Sequence, residues 1–354
     1  MKACLLAFVL ALLPRSAGAQ GLQTLLLLPD SLPQLAGSAA ASVQIRPYIA
    51  SAYLLDAALN SLNSLNSLIK KENYRNRVTA FNNPASADMG FSLEAELQAA
   101  LRPILEKTRA TNTTKFSGVL SSIISGGRSA GITGPAGGIF PAIISLVGDL
   151  AVREKRVERA DVDSFLLVMG RYFAQYEKLQ AANSRFEEQV ARLNGRLQEL
   201  QFDIREYTID LVTLVHRGPA RSGLRGRTIE ELLLQYLDVS VLDSIGAAAG
   251  LALPAYPSDG VKGAKDISYT LQKLFGEYQK IYKDNYTEIR TILSGGRALG
   301  KNINSVQLET SLRELEELYQ ESGRADVLNL RLQTLQERLR ALVTAESAAR
   351  NGTR

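Results

Sequence analysis

From Tyr172 onward, apolar residues recur in alternating steps of four and three: Tyr172, Tyr176, Leu179, Asn183, Phe186, Val190, Leu193, Leu197, Leu200, Ile204, Tyr207, Leu211 and Leu214. Residues three and four apart share one face of a helix, so this spacing predicts the heptad seam of a coiled-coil-like helix. The charged residues Glu187, Glu188, Arg192, Arg196 and Glu199 fall beside the seam, as solvated positions should. At 1.5 Å per residue the seam spans roughly 65 Å. Asn183 is the amide among these core positions, and a polar residue there costs stability while fixing register or partner number. We therefore expect Asn183 to set the coiled-coil register. Gly218-Pro219 marks the end of this helix.

Other stretches carry the same period. One helix is predicted from Arg46-Pro47 to about Arg77, since proline is tolerated in a first turn. Its Leu59, Leu62, Leu65 and Leu68 form a broad stripe, because a period of three drifts around a helix. Ser92 offers an N-cap for a helix running to about Arg109, and Pro103 inside it predicts a kink or an early stop. Thr228 and Glu231 have capping-box spacing ahead of the apolar run Leu232 to Leu242. A small-residue linker, Gly246 to Gly263, leads to a third long helix from Ala264 to Leu293. In the last helix, Leu308, Leu312, Leu315 and Tyr319 keep one register, and Leu328, Leu332, Leu335, Leu339 and Leu342 keep another. The change predicts a kink or a brief break at Ser322-Gly323. Stripes this long are unstable uncovered. The expected fold is all-α, an elongated antiparallel helical bundle with long coiled-coil-like helices and one apolar, glycine-rich hairpin.

The N-terminus changes the picture of where this fold works. Lys2, the apolar run Leu5 to Leu13, and Ala17-Gly18-Ala19 have the order of a signal peptide over residues 1–19. Residues 20–45 then read as an irregular lead-in, and residues 46–354 as a single bundle domain. The expectation is an exported protein, periplasmic or extracellular. Cleavage would remove Cys4, the one cysteine, leaving no disulfide and no thiol. It would also remove Lys2 and Arg15, lowering the formal charge from +5 to +3. That balance is mild and gives no reason to expect a nucleic-acid partner.

The chemistry is sparse. His216 is the one histidine, and it sits at a helix end where a cation suits the macrodipole. One histidine and no mature cysteine leave the usual zinc, haem and iron–sulfur sites without ligands. No Walker loop, nucleophile elbow or calcium-loop spacing is present. No catalytic residue, metal, cofactor or small-molecule substrate is expected, and the chain reads as a non-enzyme.

Two segments stand apart. Residues 116–148 carry a single charge, Arg128. One apolar arm holds Phe116, Val119, Leu120, Ile123 and Ile124. The other holds Ile139, Phe140, Ile143, Ile144, Leu146 and Val147, and a Gly- and Ser-rich tip separates them. Two readings are open. The arms form short buried helices that plug one end of the bundle, or they form a β-tongue that enters lipid, since tilted strands of about nine residues cross the hydrocarbon core. The second segment, residues 217–227, holds Arg217, Arg221, Arg225 and Arg227 with glycines between them. It reads as a candidate anion-binding loop or as a solubilising loop at a helix end.

Long amphipathic helices interrupted by one apolar hairpin resemble the helical pore-forming toxins of bacteria, of the cytolysin and tripartite-enterotoxin type. The likeness runs from Phe116 through Leu214 and the later helices. It implies a hydrophobic tongue that unfolds into a membrane, and it assigns no role to any single residue. The leading functional expectation is a structural or protein-interaction module that binds a protein partner, or a second copy, through its heptad seams. A membrane-active protein inserting residues 116–148 is the alternative.

Overall fold

The computed structural model describes residues 42–108, 139–153, 157–216, 218–247, 253–299, 303–322 and 325–352. The predicted signal peptide and nearly all of the lead-in lie outside them. Among the described residues the fold is an all-α helical bundle, with no strand. The helices are α1 (Ser42–Ile69), α2 (Glu72–Ala80), α3 (Leu93–Glu106), α4 (Ile139–Arg153), α5 (Arg159–Val215) and α6 (Arg221–Arg225). They continue as α7 (Ile229–Tyr236), α8 (Val239–Ala247), α9 (Ser258–Gly295), a 3-10 turn at Gly296–Ala298, α10 (Ser305–Ser322) and α11 (Ala325–Gly352).

Local signals explain most boundaries. The Asp161 side chain accepts from Glu158 N at 2.8 Å and starts α5 well before the seam. Thr228 and Glu231 form the expected box on α7, with Glu231 N donating to Thr228 Oγ1 at 3.1 Å. Ser92 caps α3 by accepting from Ala95 N. The break near Ser322 falls between α10 and α11.

Several expectations need correction. The helix expected from Arg46 begins at Ser42, and it divides at Lys70 and Lys71 into α1 and α2. Pro103 does not stop α3, which continues to Glu106, because a proline near a helix end forfeits only one bond. The run Leu232 to Leu242 is two helices, because the Asp238 side chain accepts from Ser240 N and restarts the chain as α8. The linker is shorter than expected, since α9 begins at Ser258.

Side chains cross-link neighbouring helices. Along α5 and α9, Gln175 donates to Ile292 O, Arg185 pairs with Glu288, Arg196 pairs with Glu277, and Tyr207 donates to Gly260 O. Toward α2, Asn183 donates to Val78 O and Arg75 pairs with Glu187. Tyr286 of α9 stacks on Tyr319 of α10 at 4.4 Å, and Tyr278 donates to Ser322 O. Arg338 of α11 lies over the Tyr53 ring of α1. In α1, Tyr48, Leu54, Leu55, Ala58, Leu62 and Leu65 are fully enclosed, and Ser51 and Ser61 are buried as well. A helix covered so widely belongs in the interior of a bundle.

The loop between α2 and α3 is tied to the segment before α10. Asn304 N donates to Gly90 O at 2.7 Å. Gly90 has φ +79°, and a Cβ there would lie 2.9 Å from Asn304 O. Arg77 locks the same corner, pairing with Asp88 and Glu314 and lying over Phe81. We expect Gly90→Ala to destabilise the fold by roughly 1–3 kcal/mol, the cost of a strained backbone with a close contact. Urea denaturation measures this, and a midpoint equal to the parent's would contradict it.

Candidate functional site

The first candidate lies where α3 and α4 flank the start of α5. α4 contains the second apolar arm. As a helix, it corrects the strand reading for Ile139 to Val147, because an unbroken run of residues from Ile139 to Arg153 satisfies its own backbone. Ile143 and Val147, one turn apart, are fully buried, and Leu146 is half-buried. Ile144 points the other way and is 42 % exposed. The side chains of Ile139 and Phe140, and the whole first arm with Phe116, Val119, Leu120, Ile123 and Ile124, lie outside the described residues.

On α5, Phe165, Met169 and Tyr172 turn inward, while Leu167 is 70 % exposed and Val168 is 47 % exposed. Lys107 of the α3 end holds Asp161 at 2.7 Å, which keeps the Asp161 carboxyl below its usual range. No helix among the described residues is long and apolar enough to cross a membrane.

The arginine segment is the second candidate. It is partly helical, as α6. Arg221 pairs with Glu206 and Asp210 on α5, and Arg225 pairs with Glu206 at 3.1 Å. Arg227 donates to Gln235 and lies 5.5 Å from the Tyr236 ring centre. Arg217 lies outside the described residues. Glu206 and Asp210 thus meet the charge of two of these arginines, Arg221 and Arg225. His216 closes α5, with Nε2 2.8 Å from Tyr236 O.

Asn183, the third candidate, sits in the core and donates to Val78 O at 3.1 Å. One level across, Tyr74 OH donates to Asn285 Oδ1 at 2.8 Å, and both residues are buried.

A fourth cluster was not anticipated. Tyr207, Tyr256 and Ser51 share hydroxyl hydrogen bonds at the start of α9, and Tyr48 donates to Pro254 O at 3.0 Å. The chain can run in one direction, from Ser51 to Tyr256, then to Tyr207, and finally to Gly260 O, so that each hydroxyl donates once. Burial pushes the Tyr48 phenol up to about 12. These hydroxyls therefore stay protonated at ordinary pH and act as struts. The available signal was Tyr256 itself, a large aromatic inside a small-residue linker.

Between α5 and α9 lies an open groove of about 640 Å³, lined by Lys178, Arg185, Lys283, Asp284 and Glu288. Charges of both signs at exposed positions give it no bias toward an anion or a cation. Among the described residues, no group of three His, Cys, Asp or Glu side chains could hold a metal ion. The chain matches no protein-family model, no curated protein and no solved structure.

The Glu206 carboxyl is held below its ordinary value by the Arg225 and Arg221 guanidinium groups. Its folded value is depressed, so its stabilisation is complete above the unfolded carboxylate range and is lost as pH falls through the folded value. We expect Glu206→Gln to flatten this part of the stability–pH curve, with a small effect because the site faces water. Denaturant midpoints measured from pH 7 to pH 3 check it. Identical slopes in parent and variant would show that the clamp contributes nothing.

Proposed function

We propose that this is an exported, non-enzymatic helical-bundle scaffold, elongated and with antiparallel long helices, that works through contacts with a protein partner. The observation that carries the reading is α5. It runs for 57 residues without a break. Its seam, from Tyr172 through Leu211, is buried or half-buried against the chain's own helices. A continuous helix of that length holds its two ends about 85 Å apart, which suits a spacer. With the seams spent inside the chain, partner contacts in this reading fall to outward positions. Phe202 and Tyr269, at 60 % and 68 % exposure, are such positions on α5 and α9. Small-angle scattering on the mature chain is expected to give a maximum dimension well beyond that of a sphere of equal mass. A compact particle would remove the spacer reading.

A second reading, membrane activity centred on residues 116–148, is favoured by one observation. α4 combines two buried apolar residues, Ile143 and Val147, with the exposed Ile144, and the early part of α5 exposes Leu167 and Val168 as well. Ile143→Asp separates the two. In the scaffold, an unpaired charge at this enclosed position disrupts packing and lowers the melting temperature. In a membrane-active protein with a loosely held α4, the variant folds normally and loses dye release from liposomes. The absence of any lipid binding or leakage by the parent would end the second reading.

A further inference from the structure

The middle of the α5 seam is repetitive. Val190, Leu193, Leu197 and Leu200 are all buried and of similar size, so over this stretch sliding α5 by seven residues sets Leu197 in place of Val190 and Leu200 in place of Leu193. The chain connections do not forbid such a slip. Many residues separate α2 from α5, and α5 from α9, and long connections discriminate weakly between alignments. Along this aliphatic stretch, something other than apolar packing has to select one register.

We propose that Tyr74, Asn183 and Asn285 form a register lock joining α2, α5 and α9. The geometry is specific. Asn183 Nδ2 donates to Val78 O in the last turn of α2, at 3.1 Å. Tyr74 OH, also on α2, donates to Asn285 Oδ1 on α9 at 2.8 Å. Asn285 Nδ2 reaches back to Ala182 O of α5, the residue beside Asn183, at 3.5 Å. Tyr74 is fully buried, Asn285 is 4 % exposed and Asn183 is 8 % exposed. Phe186, Tyr278 and Tyr282 surround the layer; the Tyr74 ring lies 5.7 Å from that of Phe186 and 5.3 Å from that of Tyr282.

A slip of α5 by seven residues would bring Tyr176 or Val190 to the place of Asn183. Val190 offers nothing to Val78 O. A slip of α9 would bring Tyr278 or Ile292 opposite Tyr74 and strand the Asn285 amide in the core. Each wrong register therefore leaves buried polar groups without partners, which is costly, while the native register satisfies most of them. Asn183 Oδ1 finds no partner even in the native register. A residue chosen for stability alone would have been apolar, so selection of alignment is the better account of its presence.

The test uses the full chain in a Cys4→Ser background, with spin labels at Arg192→Cys and Lys280→Cys, exposed positions on α5 and α9. The parent is expected to give one narrow distance distribution. The variant Tyr74→Phe, Asn183→Leu, Asn285→Leu is expected to keep its helix content and to add a second population, displaced along the axis by about 10 Å, or one heptad. A folded triple variant with the parent's single distribution overturns the proposal. If the triple variant does not fold, Tyr74→Phe with Asn285→Leu is measured with the same labels. It keeps the Asn183 bond to Val78, and the same two outcomes decide.

Discussion

An isolated helix of 57 residues with an apolar stripe is not stable in water. The covering of that stripe orders the rest of this protein. α9 takes one flank of α5, and α1 with α2 takes another. At its N-terminal end, α3 and α4 complete the cover. The long helices are therefore interdependent, each supplying the apolar surface that the next one lacks. A fully enclosed leucine or isoleucine contributes roughly 1.5–3 kcal/mol. The inward faces of α1, α5 and α9 combine such residues with large aromatics, among them Phe186, Phe275, Tyr278 and Tyr282.

The charged contacts have a different task. Arg75 with Glu187, Arg185 with Glu288 and Arg196 with Glu277 lie along the edges of the seams, partly open to water. Pairs of this kind contribute about 0–1 kcal/mol each. They orient neighbouring helices more than they hold them. The same applies to Arg221 and Arg225. In sequence they belong to a basic cluster, and in space they pair with Glu206 and Asp210.

The elements with strong periodicity were legible in the chain. The seam from Tyr172, the Thr228 box and the break near Ser322 all rest on local rules, and local rules survive folding. What the chain concealed was set by distant partners. The pairing of Arg221 and Arg225 could not be seen, because their acids, Glu206 and Asp210, lie on α5 outside the arginine segment. The hydroxyl cluster joins Ser51, Tyr207 and Tyr256, which are far apart in sequence, and no spacing rule connects them. The α4 arm was ambiguous between helix and strand because short apolar runs satisfy both patterns. Asn183 was visible as an anomaly in the seam, but its acceptor, a backbone carbonyl of α2, carries no sequence signal at all.

Asn285 has a practical consequence. With Tyr286 and Thr287 it spells an acceptor triplet for N-linked sugar. Its amide nitrogen, the atom that would carry the glycan, is enclosed and directed at the α5 backbone. A eukaryotic secretory host attaches sugar before the bundle closes, and a glycan on this nitrogen leaves no room for α9 to seat against α5. Expression in such a host therefore sets modification against folding, and a bacterial host avoids the conflict.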